Sequence, residues 1–346
     1  MKNILIIRLS SIGDIVMASP LIGAFRRTWP EAKISWLVEE TSRPLLEGNP
    51  NLHEVIVWER GKWRRLFREK RLVTLTREVL TFTMNLRRKK YDMTVDAQGL
   101  LKSGIWTYLS GAKERVGLGS REGSRFLMTR VVDRSGASDG MSSQYRLLAE
   151  ELDLEVEPFS MEVAITPEAD SFAVEFAKNL SSTYAVLAPF TTRPQKHWIE
   201  ERWARLAKSL GGETGLRAVL LGGKEDEESA ERIGRDGDPV PVNLAGRTTL
   251  GQAAAVISRA SLLIGVDTGL THMGFAVGVP TVALFGATRP YLDVEGMPGT
   301  VLYHPRDCSP CRRSPTCDGE YPCMKDITVE EVLRAARKTL EEIGKP

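Results

Sequence analysis

Three stretches of the chain place ionisable and hydroxyl side chains where an apolar run gives way to a turn. The first, Arg8-Leu9-Ser10-Ser11-Ile12-Gly13-Asp14, closes the run Ile4 to Leu9. A dinucleotide-binding turn here would carry three glycines spaced G-x-G-x-x-G, and Gly13 stands alone, so hydride chemistry on a nicotinamide or flavin loses its support. What remains is a carboxylate, Asp14, at a strand-to-helix turn, where it can cap the helix or act as a general base. The second stretch follows Pro189 and holds Thr191, Thr192, Arg193, Lys196 and His197. The third follows Val266 and reads Asp267-Thr268-Gly269-Leu270-Thr271-His272. There Gly269 permits a tight turn into a helix whose free N–H groups and positive dipole end suit a phosphate. One turn into that helix, His272 either adds a hydrogen bond to the same anion or is an ordinary satisfied histidine. Asp267 is expected to orient the loop or a sugar hydroxyl, because it would repel phosphate.

These residues need strands that end beside them. Short apolar runs alternate with amphipathic stretches in two series, the pattern of helices crossing over parallel sheets. The first series has strands at Ile4 to Leu9, Ile34 to Val38, Val55 to Trp58 and Met93 to Ala97, with a helix from about Asp14 to Thr28 that kinks or restarts at Pro20 with Ser19 as cap. The second has strands at Tyr184 to Ala188, Ala218 to Leu221, Leu262 to Val266 and Thr281 to Phe285, and a helix from Trp198 to Leu210. Val156 to Asp170, with Pro158 and Pro167, is the predicted linker, and Val329 to Ile343 a final amphipathic helix. The α/β reading is therefore two doubly wound Rossmann-like domains, residues 1–160 and 161–346, facing a cleft at the carboxyl ends of their strands. A length of 346 residues suits two such domains.

Composition narrows the function classes. With 42% hydrophobic and 27% charged residues the chain is a folding one rather than a disordered or fibrous one. No apolar run reaches the roughly 18 residues of a membrane span, and the run Ile4 to Ile7 is too short for a secretory signal. The net charge of +2 conceals a strong asymmetry. Between Arg60 and Lys90 twelve basic residues face two acidic ones, a local +10 that leaves −8 for the remainder. Trp63, Leu66, Phe67, Leu72, Leu75, Val79 and Leu80 interleave with those cations at helical spacing, giving an amphipathic basic surface.

Taken together, Arg8 to Asp14, Thr191 to Trp198, and Asp267 to His272 with Gly278 to Gly286 resemble the ADP-heptose:lipopolysaccharide heptosyltransferases over nearly the whole chain. Asp96-Ala97-Gln98-Gly99-Leu100-Leu101-Lys102-Ser103 and Lys62-Trp63-Arg64-Arg65 are most like heptosyltransferase I, whereas the cysteine-rich tail is more like heptosyltransferase II. Met141 to Arg146 stands where heptosyltransferase I has a His-Ala-Val-type stretch. The resemblance implies a GT-B fold and inverting transfer of heptose from ADP-heptose to the Kdo of a Kdo-lipid A acceptor, with no cofactor or metal required for catalysis. It implies Asp14 as the base and Lys196 as the cation offsetting charge on the leaving ADP. Thr191, Thr192, Lys196, Asp226, Thr248, Asp267, Thr268, Gly269 and His272 would hold the donor, Asp226 and Thr248 at its nucleoside. Ser10, Ser11, Gly13, Lys62, Arg64, Arg65, Gln98 and Lys102 would hold the acceptor. A cytoplasmic enzyme resting peripherally on the anionic inner-membrane surface is the corresponding location.

The only four cysteines, Cys308, Cys311, Cys317 and Cys323, form a C-x2-C-x5-C-x5-C cluster. It is read as a candidate structural zinc site, the alternatives being a reduced buried set or a local disulfide. Other functions compete: a heptosyltransferase II-like or related glycosyltransferase with another acceptor or nucleotide sugar, and a basic nucleic-acid-binding protein with a cysteine metal knuckle. The last leaves Asp14, Lys196 and His272 without a role, so no nucleic-acid partner is expected.

Overall fold

The computed structural model describes residues 2–138, 140–235, 240–288, 290, 297–311 and 314–342. Ile343 of the predicted last helix lies outside them. The chain divides into two compact units, Met1–Ser138 with Ser142–Ala164, and Ile165–Pro346 with Asp139–Met141.

The first unit contains β1 (Asn3–Ile7), α1 (Ile12–Ala18), α2 (Pro20–Thr28), β2 (Lys33–Glu39), β3 (Glu54–Trp58), α3 (Arg60–Arg68), α4 (Leu72–Arg88), β4 (Met93–Asp96), α5 (Leu101–Leu109), β5 (Glu114–Leu118), β6 (Arg130–Val132) and α6 (Ser143–Glu150). Its strands form one parallel sheet in the order β3-β2-β1-β4-β5-β6. β1 is apolar on both faces because helices cover both sides of a parallel sheet. The strand ends at Ile7, two residues before the predicted end, so Arg8 and Leu9 belong to the turn. The predicted break at Pro20 is real: α1 and α2 are separate helices with Pro20 opening the second. Ser19, however, does not cap α2 with its side chain. Its hydroxyl donates to the Val16 carbonyl at 2.6 Å and accepts the Glu162 N–H at 2.8 Å.

That second bond corrects the predicted linker. Residues up to Ala164 are fastened to the first unit, the Ala164 N–H donating to the Leu45 carbonyl at 2.9 Å. From Pro167 the chain is helical, since Thr166 caps the Ala169 N–H and Pro167 sits at the first position, which requires no N–H donor.

The second unit runs α7 (Pro167–Leu180), β7 (Tyr184–Ala188), α8 (Glu200–Thr214), β8 (Arg217–Leu220), α9 (Glu227–Arg235), β9 (Val242–Asn243), α10 (Leu250–Ser258), β10 (Leu262–Val266), α11 (Gly269–Ala276), β11 (Thr281–Phe285), β12 (Gly299–Tyr303), α12 (Pro322–Lys325) and α13 (Val329–Glu341). Its parallel sheet is ordered β12-β11-β10-β7-β8-β9, the same winding as the first when read from β9. Strands β5, β6, β9 and β12 were not anticipated from sequence. They lie at or next to a sheet edge, are two to five residues long, and mix charged, glycine or half-buried positions into the apolar pattern. Trp198 precedes α8 rather than opening it. It is buried, with its indole N–H donating to the Ile327 carbonyl at 2.9 Å.

Candidate active site

In each sheet the first and fourth strands lie side by side, and the chain leaves them in opposite directions. Such a switch point opens a crevice at the strands' carboxyl ends. In the first unit it lies between β1 and β4; in the second, between β7 and β10. The three stretches singled out by sequence all follow these strands.

After β1, Ser11 precedes α1 and Asp14 is the third helical residue. The Asp14 carboxylate accepts from the Ser11 N–H (3.2 Å) and hydroxyl (2.8 Å), which places it over the helix N-terminus. It also pairs with the guanidinium of Arg8 at 2.6 Å; the Arg8 side chain is 8% exposed and that of Asp14 34%. Burial by itself would raise the Asp14 pKa, but the Arg8 charge and the Ser11 bonds outweigh it and hold the group below the ordinary carboxylate range. Asp14 is thus an ionised, oriented and partly exposed carboxylate. Capping and base chemistry do not exclude each other, because the capping bonds engage one oxygen. Gly13 is buried beneath it and Ser10 is half-buried.

The loop after β4 meets this turn. Asp96, wholly buried, accepts from the N–H groups of Gln98 (3.0 Å) and Gly99 (2.9 Å) and from the Ser103 hydroxyl (3.0 Å). Its pKa is raised, burial outweighing those bonds. Gly99 needs its left-handed backbone, at φ +70°, and a Cβ there would lie 2.2 Å from the Leu118 carbonyl oxygen. Gln98 is buried and accepts the Leu9 N–H at 3.0 Å, so its side chain ties the two loops together. Lys102 donates to the Ser10 hydroxyl at 3.0 Å and to Glu39 at 2.9 Å. Glu39, which ends β2, also holds Arg60 at 3.2 Å and so connects the switch point to the start of α3. On α3, Lys62 is engaged by Glu59 (3.2 Å) and Glu78 (3.0 Å), while Arg64 and Arg65 are exposed. Sequence reasoning missed Arg8, Glu39 and Tyr145. Tyr145 is buried within electrostatic reach of Arg8 and Asp14, and burial pushes its hydroxyl up to about 12. Only Arg8 left a signal, a cation directly after an apolar strand.

In the second unit, Lys196 from the loop after β7 forms an ion pair with Asp267, the residue that follows β10. The same carboxylate accepts from the Thr288 hydroxyl and lies 3.5 Å from His272 Nε2. Burial acts to raise the Asp267 pKa, yet His272 and Lys196 overcome it and drive the pKa far below the usual range. Thr268 precedes α11 and Gly269 is its first residue, in ordinary rather than left-handed backbone. The tight approach expected of Gly269 belongs instead to Gly265, where a Cβ would lie 2.3 Å from Thr271 Oγ1 and 3.0 Å from the Ala188 Cβ. Thr271 fixes the turn by donating to the Val266 carbonyl at 2.6 Å. Thr191 is half-buried and Thr192 exposed; His197 Nε2 is 2.7 Å from the Thr191 carbonyl oxygen. Asp226, after β8, accepts the Gly223 N–H at 2.8 Å, and its pKa is raised by burial. Thr248 follows β9. The candidate donor residues therefore line the carboxyl ends of four neighbouring strands, β9, β8, β7 and β10.

The expected zinc site is not assembled. Among the described residues no three His, Cys, Asp or Glu side chains are grouped to hold a metal ion, and all four cysteines are free thiols. Cys323 has gone into the core on α12, against Gly286 and beside Met324, while Cys308, Cys311 and Cys317 are half-buried in the preceding loop. Burial raises the pKa of Cys323 and Cys311, opposing the thiolate form that zinc requires.

Two doubly wound sheets, each with charged residues at its switch point, have the architecture of the GT-B fold of glycosyltransferases. Residues 79–317 match glycosyltransferase family 9 (heptosyltransferase), and the chain belongs to that family. It is 28% identical to lipopolysaccharide heptosyltransferase 1 of Pseudomonas aeruginosa, covering 91% of this chain and 87% of that one. It is 24% identical to the lipopolysaccharide core heptosyltransferase OpsX of Haemophilus influenzae, over 86% and 84%. The structure of Escherichia coli ADP-heptose lps heptosyltransferase II superposes with a TM-score of 0.76 at 25% identity, over 99% of this chain and 100% of that one. A family 9 glycosyltransferase from Veillonella parvula gives 0.83 at 24% identity, over 99% and 98%. Relatives of the type 1, type 2 and OpsX kinds are about equally distant, so the expected preference for heptosyltransferase I narrows to the family.

Proposed function

We propose that the protein transfers heptose from ADP-heptose to the Kdo of a Kdo-lipid A acceptor, with inversion at the anomeric carbon. The observation that carries the reading is the complementary charge at the two switch points: an ionised, partly exposed Asp14 in one unit, and Lys196 beside a helix start in the other. Asp14 takes the proton of the acceptor hydroxyl as its oxygen bonds to the anomeric carbon. The bond from that carbon to the donor phosphate breaks, and its electrons pass to the ADP oxygen, whose charge Lys196 and the N–H groups at the start of α11 offset. Thr191, Thr192, Thr268, Gly269 and His272 hold the diphosphate, Asp267 positions Lys196 and His272, and Asp226 and Thr248 lie towards the nucleoside. Ser10, Ser11, Gly13, Gln98 and Lys102 shape the acceptor side, with Lys62, Arg64 and Arg65 attracting its carboxylates and phosphates. The +10 segment also draws the enzyme towards the anionic inner leaflet from the cytoplasmic side.

The test is a panel of nucleotide sugars and acceptors scored by product mass. Addition of one heptose to Kdo-lipid A from ADP-heptose supports the reading. Transfer only to an acceptor already bearing heptose would replace it with a type 2 activity.

A further inference from the structure

The helix α4 carries two apolar stripes, and the fold uses one. Phe82 and Leu86 turn inward, Phe82 joining Trp58, Trp63 and Trp106 in an edge-to-face cluster with ring centroids 4.9–6.0 Å apart. Val73, Leu80 and Met84 recur at helical spacing on another side and are 87%, 57% and 50% exposed. Phe67 at the end of α3 and Leu72 at the start of α4 extend this surface, at 67% and 54%. The topologically equivalent crossover helix, α10, shows what a covered helix looks like in this fold: it packs on α7 and α11, and Ala253 to Ile257 are all buried. α4 packs on α3 and α5.

Exposed Arg68, Lys70, Arg77 and Arg88 border the uncovered stripe. Apolar side chains ringed by cations match the boundary of an anionic bilayer, where phosphates meet acyl chains. A second copy would oppose these cations to their own like, and the one nearby carboxylate on α4, Glu78, is already held by Lys62. A nucleic acid would meet aliphatic groups, with Phe67 the one aromatic for bases to stack on. Among the described residues no helix is long and apolar enough to cross a membrane, so the contact is interfacial.

We infer that the α3–α4 pair is a membrane-insertion element, the outer face of α4 entering the headgroup–acyl boundary of an anionic phospholipid bilayer. This deepens the proposed function, turning electrostatic attraction into apolar anchoring beside the acceptor-binding residues of α3.

Flotation of the full chain with phosphatidylglycerol–phosphatidylcholine vesicles and with phosphatidylcholine vesicles, at low and high salt, tests it. The wild type should float with the anionic vesicles and keep part of that binding at high salt. The doubly substituted Val73→Ser/Leu80→Ser protein should partition roughly tenfold or more weakly at both salts. Arg77→Gln/Arg88→Gln should lose binding chiefly at low salt. Transfer to a de-acylated, water-soluble acceptor should be unchanged in the serine variant, which shows that the site is intact. If the wild type binds vesicles as described yet transfers no heptose, the insertion stands and the catalytic reading falls. Equal flotation of wild type and serine variant would overturn the inference. So would a wild-type dimer in sedimentation that the serine substitutions dissociate, or DNA binding that they weaken to the same degree.

Discussion

The two units share one winding and reverse its chemistry. In the first, the residue directly after β1 is a cation, Arg8, which is buried and presents a carboxylate. In the second, the residue directly after β10 is a carboxylate, Asp267, which is half-buried and presents a lysine. Both sheets also end their fourth strand near an acid, Asp96 in one and Asp267 in the other, and the two titrate in opposite directions. Asp96 accepts hydrogen bonds from neutral donors, and burial outweighs both these and the charge of nearby Arg8, so its pKa rises; Asp267 pairs directly with Lys196 and lies beside His272, so its pKa falls. Topology places the side chain, and the groups paired directly with it decide which way its pKa moves.

This contrast can be broken from either side. The largest effect is expected for Asp14→Asn: kcat should fall by roughly 10²–10⁴, the usual scale for a general base, with ADP affinity unchanged by calorimetry. A loss of ADP binding instead would move Asp14 out of that role. Next, Lys196→Met should lower kcat/KM by about 10²–10³ and weaken ADP binding as well, because it removes an interaction with the departing charge.

Arg8→Met sharpens the first unit alone. With its cation gone, burial is opposed only by the Ser11 bonds and the Asp14 pKa should rise, so the acid limb of the pH–rate profile moves upward from the wild-type position. The lowered native pKa means that the pair contributes stability above the unfolded value of about 4 and loses it as pH falls through the native one. Chemical denaturation should therefore show the variant about 2 kcal/mol less stable at neutral pH, between the exposed and fully buried limits for an ion pair, with the gap closing in acid. The smallest change is expected for Asp267→Asn, about tenfold in kcat, since Thr288 and His272 can still hydrogen-bond an amide and keep the loop in place. A thousandfold loss would mean that Asp267 touches the reacting sugar.

The central strands were legible because burial on both faces leaves uninterrupted aliphatic runs, as at Leu262–Val266 and Thr281–Phe285. Strands β5, β6, β9 and β12 were not, for they carry residues such as Glu114, Arg115 and Asn243 that alternate or break the pattern. Asp14, Lys196 and the Asp267 to His272 turn could be found since each sits just past a strand. Glu39 could not: its partners are 21 and 63 residues away, and only sheet order makes them neighbours. The cysteine spacing misled because it records separation along the chain, whereas the core claimed Cys323 for packing.

The ion pair between Lys196 and Asp267 has a consequence for which anions the second unit admits. The lysine already has a counter-ion held at its side, and that counter-ion stays charged in mild acid because its pKa is so low. An incoming anion must compete with a neighbour it can neither protonate nor dislodge. One negative charge merely duplicates what is there, whereas the several oxygens of a diphosphate can engage Lys196 and the free N–H groups of α11 together. If Lys196 holds the donor as proposed, the resident carboxylate sets a threshold of charge and reach that abundant small anions do not meet.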